Sequence, residues 1–222
     1  MHKIDVPAEL AAHSLRFRSL HPARTALLVV DLQNFFVTDR EGAFIETAEE
    51  IVPNVNLLAR MFRKAGAPVV FLQHTISDEP RFAIPDWQRD PDFANGMVTP
   101  ALKRLRAGHP QHDLYPGLEI EKNDLIVRKH RYSALLPNSS DLDSILRARG
   151  IDTLVITGAA TNVCCESTAR DAAMMDYKVF FVSDANATRA DIFHNATLVN
   201  LGLIFADVRS TREMLDLLGS AS

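Results

Sequence analysis

The chain has 222 residues, 47% of them hydrophobic and 23% charged, the composition of an ordinary globular protein with room for one large α/β domain. Lys and Arg number 24 against 28 Asp and Glu, and the net charge of −4 leaves no basic footprint for nucleic acid or an anionic membrane. No run of about eighteen apolar residues occurs, the stretch Met1 to Leu20 holds no signal-peptide core, and the two cysteines are adjacent, which excludes a disulfide framework and points to a reducing, cytoplasmic setting.

Residues 1–24 read as an arm laid over the domain or engaged with a neighbour, because Leu10, Leu15, Phe17 and Leu20 have apolar surface to bury. Thr25 to Val30 is a continuous apolar run ending on Asp31, which fits a parallel strand covered on both faces. An Asp at the C-terminal end of such a strand lies on the edge where open α/β sheets bind ligands, or it caps the following turn. Asn34, Phe35 and Phe36 come next, the phenylalanines as core or as pocket wall. Helical spacing of Ile51, Val55, Leu58, Met61 and Phe62 predicts a helix within Thr47 to Lys64, stopped by Gly66. Pro68 to His74 is a second strand, with His74 at its end as a hydrogen-bonded structural residue or a pocket wall.

From Ser77 to Pro116 the composition changes. Six prolines and the single tryptophan, Trp87, mark an irregular insertion with one short helix at Thr99 to Arg106. Loops of this length serve as lids or oligomer contacts, or are plain surface flaps. Asp124 to Lys129 is a third strand, and Leu142 to Gly150 a helix. Val155 to Thr157 lies in a fourth strand, followed by a helix over Val163 to Asp176. Lys178 to Val182 makes a fifth strand, Arg189 to Leu201 a helix, Leu203 to Phe205 a sixth strand and Thr211 to Leu218 a closing helix. Strands alternating with helices predict an α/β fold, one domain over 1–222 built on a parallel sheet with helices on both faces.

Three chemistry-bearing residues fall at strand ends: Asp31, Lys129 and Cys164. In a parallel sheet those ends share one edge, so the three can converge although they are far apart in the chain. Gly158 breaks the fourth strand, Thr161 or Asn162 can cap the next helix, and Cys164 sits in that helix's first turn, where unpaired N–H groups push a thiol toward thiolate. A carboxylate to take its proton and an ammonium to stabilise it are the partners such a nucleophile needs. The plainer readings are a core cysteine and a surface lysine. Neighbouring residues on a helix point about 100° apart, so one of Cys164 and Cys165 is packing. No dinucleotide or phosphate-binding glycine motif, zinc-ligand spacing or serine-hydrolase elbow is present, and Pro110 separates His109 from His112.

Val30-Asp31-Leu32-Gln33, Arg128-Lys129-His130-Arg131-Tyr132-Ser133 and Thr157-Gly158-Ala159-Ala160-Thr161-Asn162-Val163-Cys164 together resemble the three signature segments of the isochorismatase-like cysteine hydrolases. The likeness runs from about Arg24 to Leu218, in order and spacing. It implies a three-layer Rossmann-like fold with about six mostly parallel strands. It also implies a triad in which Asp31 is general base and acid, Lys129 the cationic stabiliser and Cys164 the nucleophile, with Cys165 as the packing cysteine. A cis peptide at Ala159–Ala160 is implied as well, with the backbone N–H groups of Ala160 and Cys164 facing an oxyanion.

Within that family the Lys129-x-Arg-Tyr-Ser segment and the run Leu142 to Ile151 look nearest to ureidoacrylate and N-carbamoyl amide hydrolases. Asp39-Arg40-Glu41-Gly42 does not reproduce the metal-binding pattern of nicotinamidases, so no metal and no cofactor is expected. The expected activity is hydrolysis of a C–N bond in a small carboxamide or ureido compound through a cysteine thioester. Asn34, Phe36, His74, Trp87 and Tyr132 are the expected pocket wall, and a homodimer or homotetramer the expected assembly. Vinyl ether hydrolysis of the isochorismatase kind, a non-catalytic scaffold on the same fold, and a redox pair at Cys164 and Cys165 are the rival readings.

Overall fold

Six parallel strands make one sheet in the computed structural model, which describes residues 1–4, 16–84 and 99–219. The strands are β1 (Thr25–Val30), β2 (Val69–His74), β3 (Leu125–Lys129), β4 (Thr153–Ala159), β5 (Lys178–Ala187) and β6 (Asp207–Arg209), in the spatial order β3-β2-β1-β4-β5-β6. The chain therefore builds outward from β1 to β3, returns, and builds the other way from β4. This reversal leaves a crevice at the C-terminal ends of β1 and β4. Helices α1 (Asn34–Val37), α2 (Val52–Lys64), α3 (Thr99–Leu102), α4 (Leu142–Arg147), α5 (Glu166–Met174), α6 (Asp191–Asn200) and α7 (Thr211–Gly219) fill the connections.

The side-chain alternation of β1 sets the three layers. Leu27 and Val29 pack with Val55, Leu58 and Phe62 of α2 and Met214 and Leu218 of α7. Ala26, Leu28 and Val30 turn to the other face, with Leu142 and Leu146 of α4, Ala169 and Ala172 of α5 and Leu198 of α6. Every residue of β1 is fully buried, which explains why its sequence is an unbroken apolar run. Among the described residues, no helix is long and apolar enough to cross a membrane.

The structure moves some expected boundaries. The helix expected within Thr47 to Lys64 runs from Val52 with Pro53 in its first turn, and Thr47 lies before it, donating to the carbonyl of Thr188 at 3.1 Å. The fifth strand continues to Ala187, held by the Asn186 amide on the carbonyls of Ile156 (3.0 Å) and Val182 (2.7 Å). The expected strand at Leu203 to Phe205 is wrong: Leu201–Phe205 is a π-helical turn that extends α6, and the sixth strand is Asp207–Arg209. Leu203 and Ile204 face solvent, so their apolar run is surface and not a buried strand. The true edge strand is short and charged, as edges that must not recruit other chains are. Its Asp207 accepts the N–H groups of Arg16 (3.0 Å) and Phe17 (2.7 Å) from the arm, whose Phe17 meets Phe180 edge-on and whose Leu20 is buried. Leu10 and Leu15 lie outside the described residues.

Candidate active site

Asp31 follows β1 directly and adopts φ 50°, a left-handed conformation uncommon outside glycine. Its N–H donates to the Leu72 carbonyl (3.1 Å) and its carbonyl accepts from Gln33 (2.8 Å), so the chain doubles back at the sheet edge. Gln33 is buried and clamps the neighbouring strand. Its Oε1 accepts the His74 N–H at 2.8 Å, and its Nε2 donates to the carbonyls of His74 (3.2 Å) and His112 (2.7 Å). In the sequence Gln33 stands out only as part of a motif. The signal was an amide, donor and acceptor in one side chain, two residues beyond a strand-end carboxylate.

Register puts His74 opposite Lys129 at the ends of β2 and β3. From there Lys129 reaches across β2, and its Nζ lies 2.7 Å from Asp31 Oδ2, with both side chains fully buried. The same Nζ is 3.2 Å from His74 Nδ1 and donates to the Arg131 carbonyl at 3.1 Å. Burial alone would lower Lys129, but the Asp31 carboxylate beside it outweighs this and holds the ammonium above its ordinary range. His74 is driven well below its usual value by burial and by Lys129, so it is neutral, and Nδ1 facing an ammonium must be the acceptor nitrogen.

Cys164 is delivered by the end of β4. Gly158 takes φ 119°, and a Cβ there would lie 2.1 Å from the Val30 carbonyl oxygen, so only glycine lets β4 pass this close to β1. The peptide Ala159–Ala160 is cis. Thr161–Cys165 then forms a π-helical turn before α5, a distortion that recurs at functional sites. Neither Thr161 nor Asn162 caps this helix: the first bonds His194 Nδ1 (3.0 Å), and the second accepts from Thr188 Oγ1 (2.6 Å). The Ala160 carbonyl accepts from the N–H groups of Val163 (3.0 Å) and Cys165 (3.3 Å). Thr168 accepts the Ala134 N–H (3.2 Å) and donates to the Cys164 carbonyl (2.7 Å), tying the cysteine turn to the loop after Lys129.

One ligand-type atom each from Asp31, His74 and Cys164 lies within 4.8 Å of the others. The three predicted strand-end residues therefore meet, with His74 as a fourth member. By donor type such a set suits a metal ion, but the Lys129 ammonium already supplies a cation against both Asp31 and His74. Burial pushes the Cys164 thiol up to about 12, helped by the Asp31 carboxylate and opposed by Lys129. Desolvation thus works against the push toward thiolate that the ammonium and the helix start supply. Asp31 is itself raised, by burial first and against the pull of Lys129, which makes it a stronger base than an ordinary aspartate. Cys165 is fully buried in the core under α5 and α6.

A cavity of about 460 Å³ opens beside His74 and Tyr132, whose rings stack 6.3 Å apart at 14°. One face of α5, from Ser167 to Met174, closes its far side. Asn34 does not line this cavity and donates to the Pro110 carbonyl (2.9 Å), while Phe36 packs edge-on against Phe35 at 5.0 Å. Trp87 lies outside the described residues.

An isochorismatase domain profile matches residues 25–213, the span that carries all six strands and the cluster. The chain belongs to the isochorismatase family. Within this family it is 32% identical over 225 residues to a ureidoacrylate amidohydrolase (RutB) of Pseudomonas savastanoi pv. phaseolicola, covering 93% of this chain and 90% of that one. The corresponding protein of Caulobacter vibrioides is 33% identical over 204 residues, covering 86% and 90%. Among solved structures, a cysteine hydrolase from Pseudomonas syringae pv. phaseolicola superposes with a TM-score of 0.80 at 31% identity, covering 93% of this chain and 97% of that one. An N-carbamoylsarcosine amidase from Thermoplasma acidophilum superposes with a TM-score of 0.66 at 28% identity, covering 85% and 96%.

Proposed function

We propose that the protein is an amidohydrolase that cleaves a C–N bond of a small ureido or carbamoyl compound through a thioester on Cys164. The observation that carries this reading is the sulfur, carboxylate and imidazole gathered within 4.8 Å, with the Lys129 ammonium 2.7 Å from Asp31. Relatives named for ureidoacrylate and N-carbamoylsarcosine supply the bond class. A vinyl ether has no carbonyl for a sulfur to attack, so a cysteine in this position favours C–N chemistry.

Burial pushes the Cys164 thiol up, which favours loss of its proton as the sulfur attacks. Asp31 accepts that proton while the Cys164 sulfur bonds to the carbonyl carbon. Lys129 stabilises the negative charge in the cleft, and the N–H groups of Ala160 and Cys164 receive the oxyanion. Asp31 then returns the proton to the departing nitrogen, and ammonia or an amine leaves. A water gives its proton to Asp31, adds to the thioester, and the thiol is restored on collapse. His74, neutral and on the cavity wall, keeps Lys129 aligned.

Ammonia or amine release from a panel of ureido, carbamoyl and aryl carboxamide compounds tests the bond class. Cys164→Ser should abolish turnover, by roughly 10⁴-fold or more, and Cys165→Ser should retain most of it. A covalent adduct on Cys164 by intact mass identifies the nucleophile; loss of activity on changing Cys165 alone would transfer that role to its neighbour. The two unpaired thiols accord with a cytoplasmic enzyme. The exposed apolar side chains Ile192, Phe193, Leu203 and Ile204 accord with a homodimer or homotetramer, which sedimentation velocity tests.

A further inference from the structure

We propose that Arg131 is the carboxylate anchor of the substrate cavity, so that the preferred compounds are ureido acids and not neutral ureas or amides. The proposal rests on the amidohydrolase reading only for which end of the ligand reacts. Two guanidinium groups line the cavity, Arg131 and Arg170. Arg170 is already neutralised: its Nε and Nη2 both donate to Glu166 Oε1, at 2.9 and 2.7 Å, and its plane covers the Phe205 ring at 4.5 Å.

Arg131 is bound differently. It gives one Nη1 hydrogen to the Phe82 carbonyl (3.2 Å), the other to the His130 carbonyl (2.8 Å), and one Nη2 hydrogen to the Ala83 carbonyl (3.1 Å). All three partners are neutral, and no carboxylate pairs with Arg131 among the described residues. A guanidinium has five donors in a fixed fork. Three are spent, which leaves Nε–H and one Nη2–H. Arg63 grips Asp124 with the same two nitrogens, Nε to Oδ1 at 3.0 Å and Nη2 to Oδ2 at 2.7 Å. Arg131 thus keeps its charge uncompensated among the described residues and two donors in hand, the number a bidentate carboxylate takes.

Its place in the chain fits the task. The Arg131 carbonyl receives the Lys129 ammonium, so the end of β3 and the loop that follows it carry both the cation of the reacting end and the anchor. Tyr132, the next residue, stacks on His74, the member of the cluster that lines the cavity, and gives it a flat wall. Ile76, Leu136 and Met174 complete an apolar surround suited to a short hydrocarbon or unsaturated spacer.

Binding to Cys164→Ala protein, measured by calorimetry with 3-ureidopropionate and with 3-ureidopropanamide, separates the carboxylate from the rest of the ligand. The acid should bind about 10- to 100-fold more tightly than the amide. Adding Arg131→Gln should erase that preference while leaving the affinity for the amide within about twofold, Arg131→Lys should restore part of it, and Arg170→Gln should leave it unchanged. Equal affinity for the two ligands before Arg131 is changed, failure of both to bind, or an equal loss of both in Arg131→Gln, which marks a staple for residues 82–84 only, overturns the anchor. Turnover by the unaltered enzyme decides the other reading separately. Arg131-dependent preference for the acid with no hydrolysis keeps the anchor and removes the amidohydrolase.

Discussion

Strand β3 begins beside one ion pair and ends in another, and the two are built to opposite purposes. At its start Asp124 accepts Nε and Nη2 of Arg63 at 3.0 and 2.7 Å, and the Glu121 N–H at 2.7 Å. That carboxylate is saturated, which leaves it no capacity for chemistry. At the other end Asp31 and Lys129 are wholly buried, the ammonium lies 2.7 Å from Asp31 Oδ2, and burial raises the carboxylate against Lys129, the Cys164 thiol and the His74 backbone beside it. A buried carboxylate whose desolvation outweighs its partners is costly as structure and takes up a proton more readily than an ordinary aspartate. The N-terminal edge of the sheet is thus fastened, while the C-terminal edge is left chemically open.

Removing one charge from each pair breaks that contrast most sharply. Asp31→Asn should lower kcat/KM by about 10³- to 10⁴-fold in the ammonia-release assay, the scale for losing a general base. Asp124→Asn should leave kcat/KM within about twofold and instead cost about 1–3 kcal/mol in urea unfolding. Similar losses of turnover in both would show that the two pairs do one job. Removing both charges of each pair sharpens the comparison. Asp31→Asn with Lys129→Met should be inactive yet as stable as the parent, or more stable by up to about 4 kcal/mol, because the desolvation cost of the pair is relieved. Arg63→Met with Asp124→Asn should lose stability, since that pair is partly solvated and fully bonded.

The smallest effect is a displacement along the pH axis. Asp31 must be ionised to accept the thiol proton, and its folded pKa is raised by burial. Activity is therefore complete above that raised value and lost as pH falls through it, placing the acid limb of kcat/KM above the ordinary Asp range near about 3.9. Asp124→Asn should leave the limb where it is. A limb at or below the ordinary range would remove the assignment of Asp31 as the base.

The triad was legible because each member ends a strand whose apolar run is plain in the sequence, and a parallel sheet brings such ends to one edge. The thiol's protonation was not, because position at a helix start is written in the chain whereas desolvation depends on what packs above it. Leu203 to Phe205 misled for a related reason: three apolar residues read alike as a buried strand or as an exposed turn extending α6. Gln33 and Arg131 were visible only as letters in motifs. Their roles rest on which carbonyls lie within reach, and those come from segments 41 to 79 residues away for Gln33 and mostly 48 to 49 away for Arg131.

Gly158 sets a boundary for anyone who wishes to reshape this catalyst. A single added methyl would sit 2.1 Å from a main-chain oxygen of the adjoining strand, an atom that cannot step aside as a side chain does. The floor of the crevice is closed to redesign at that point, and diversity introduced to accept bulkier compounds belongs instead on the walls lent by Tyr132, Leu136 and Met174.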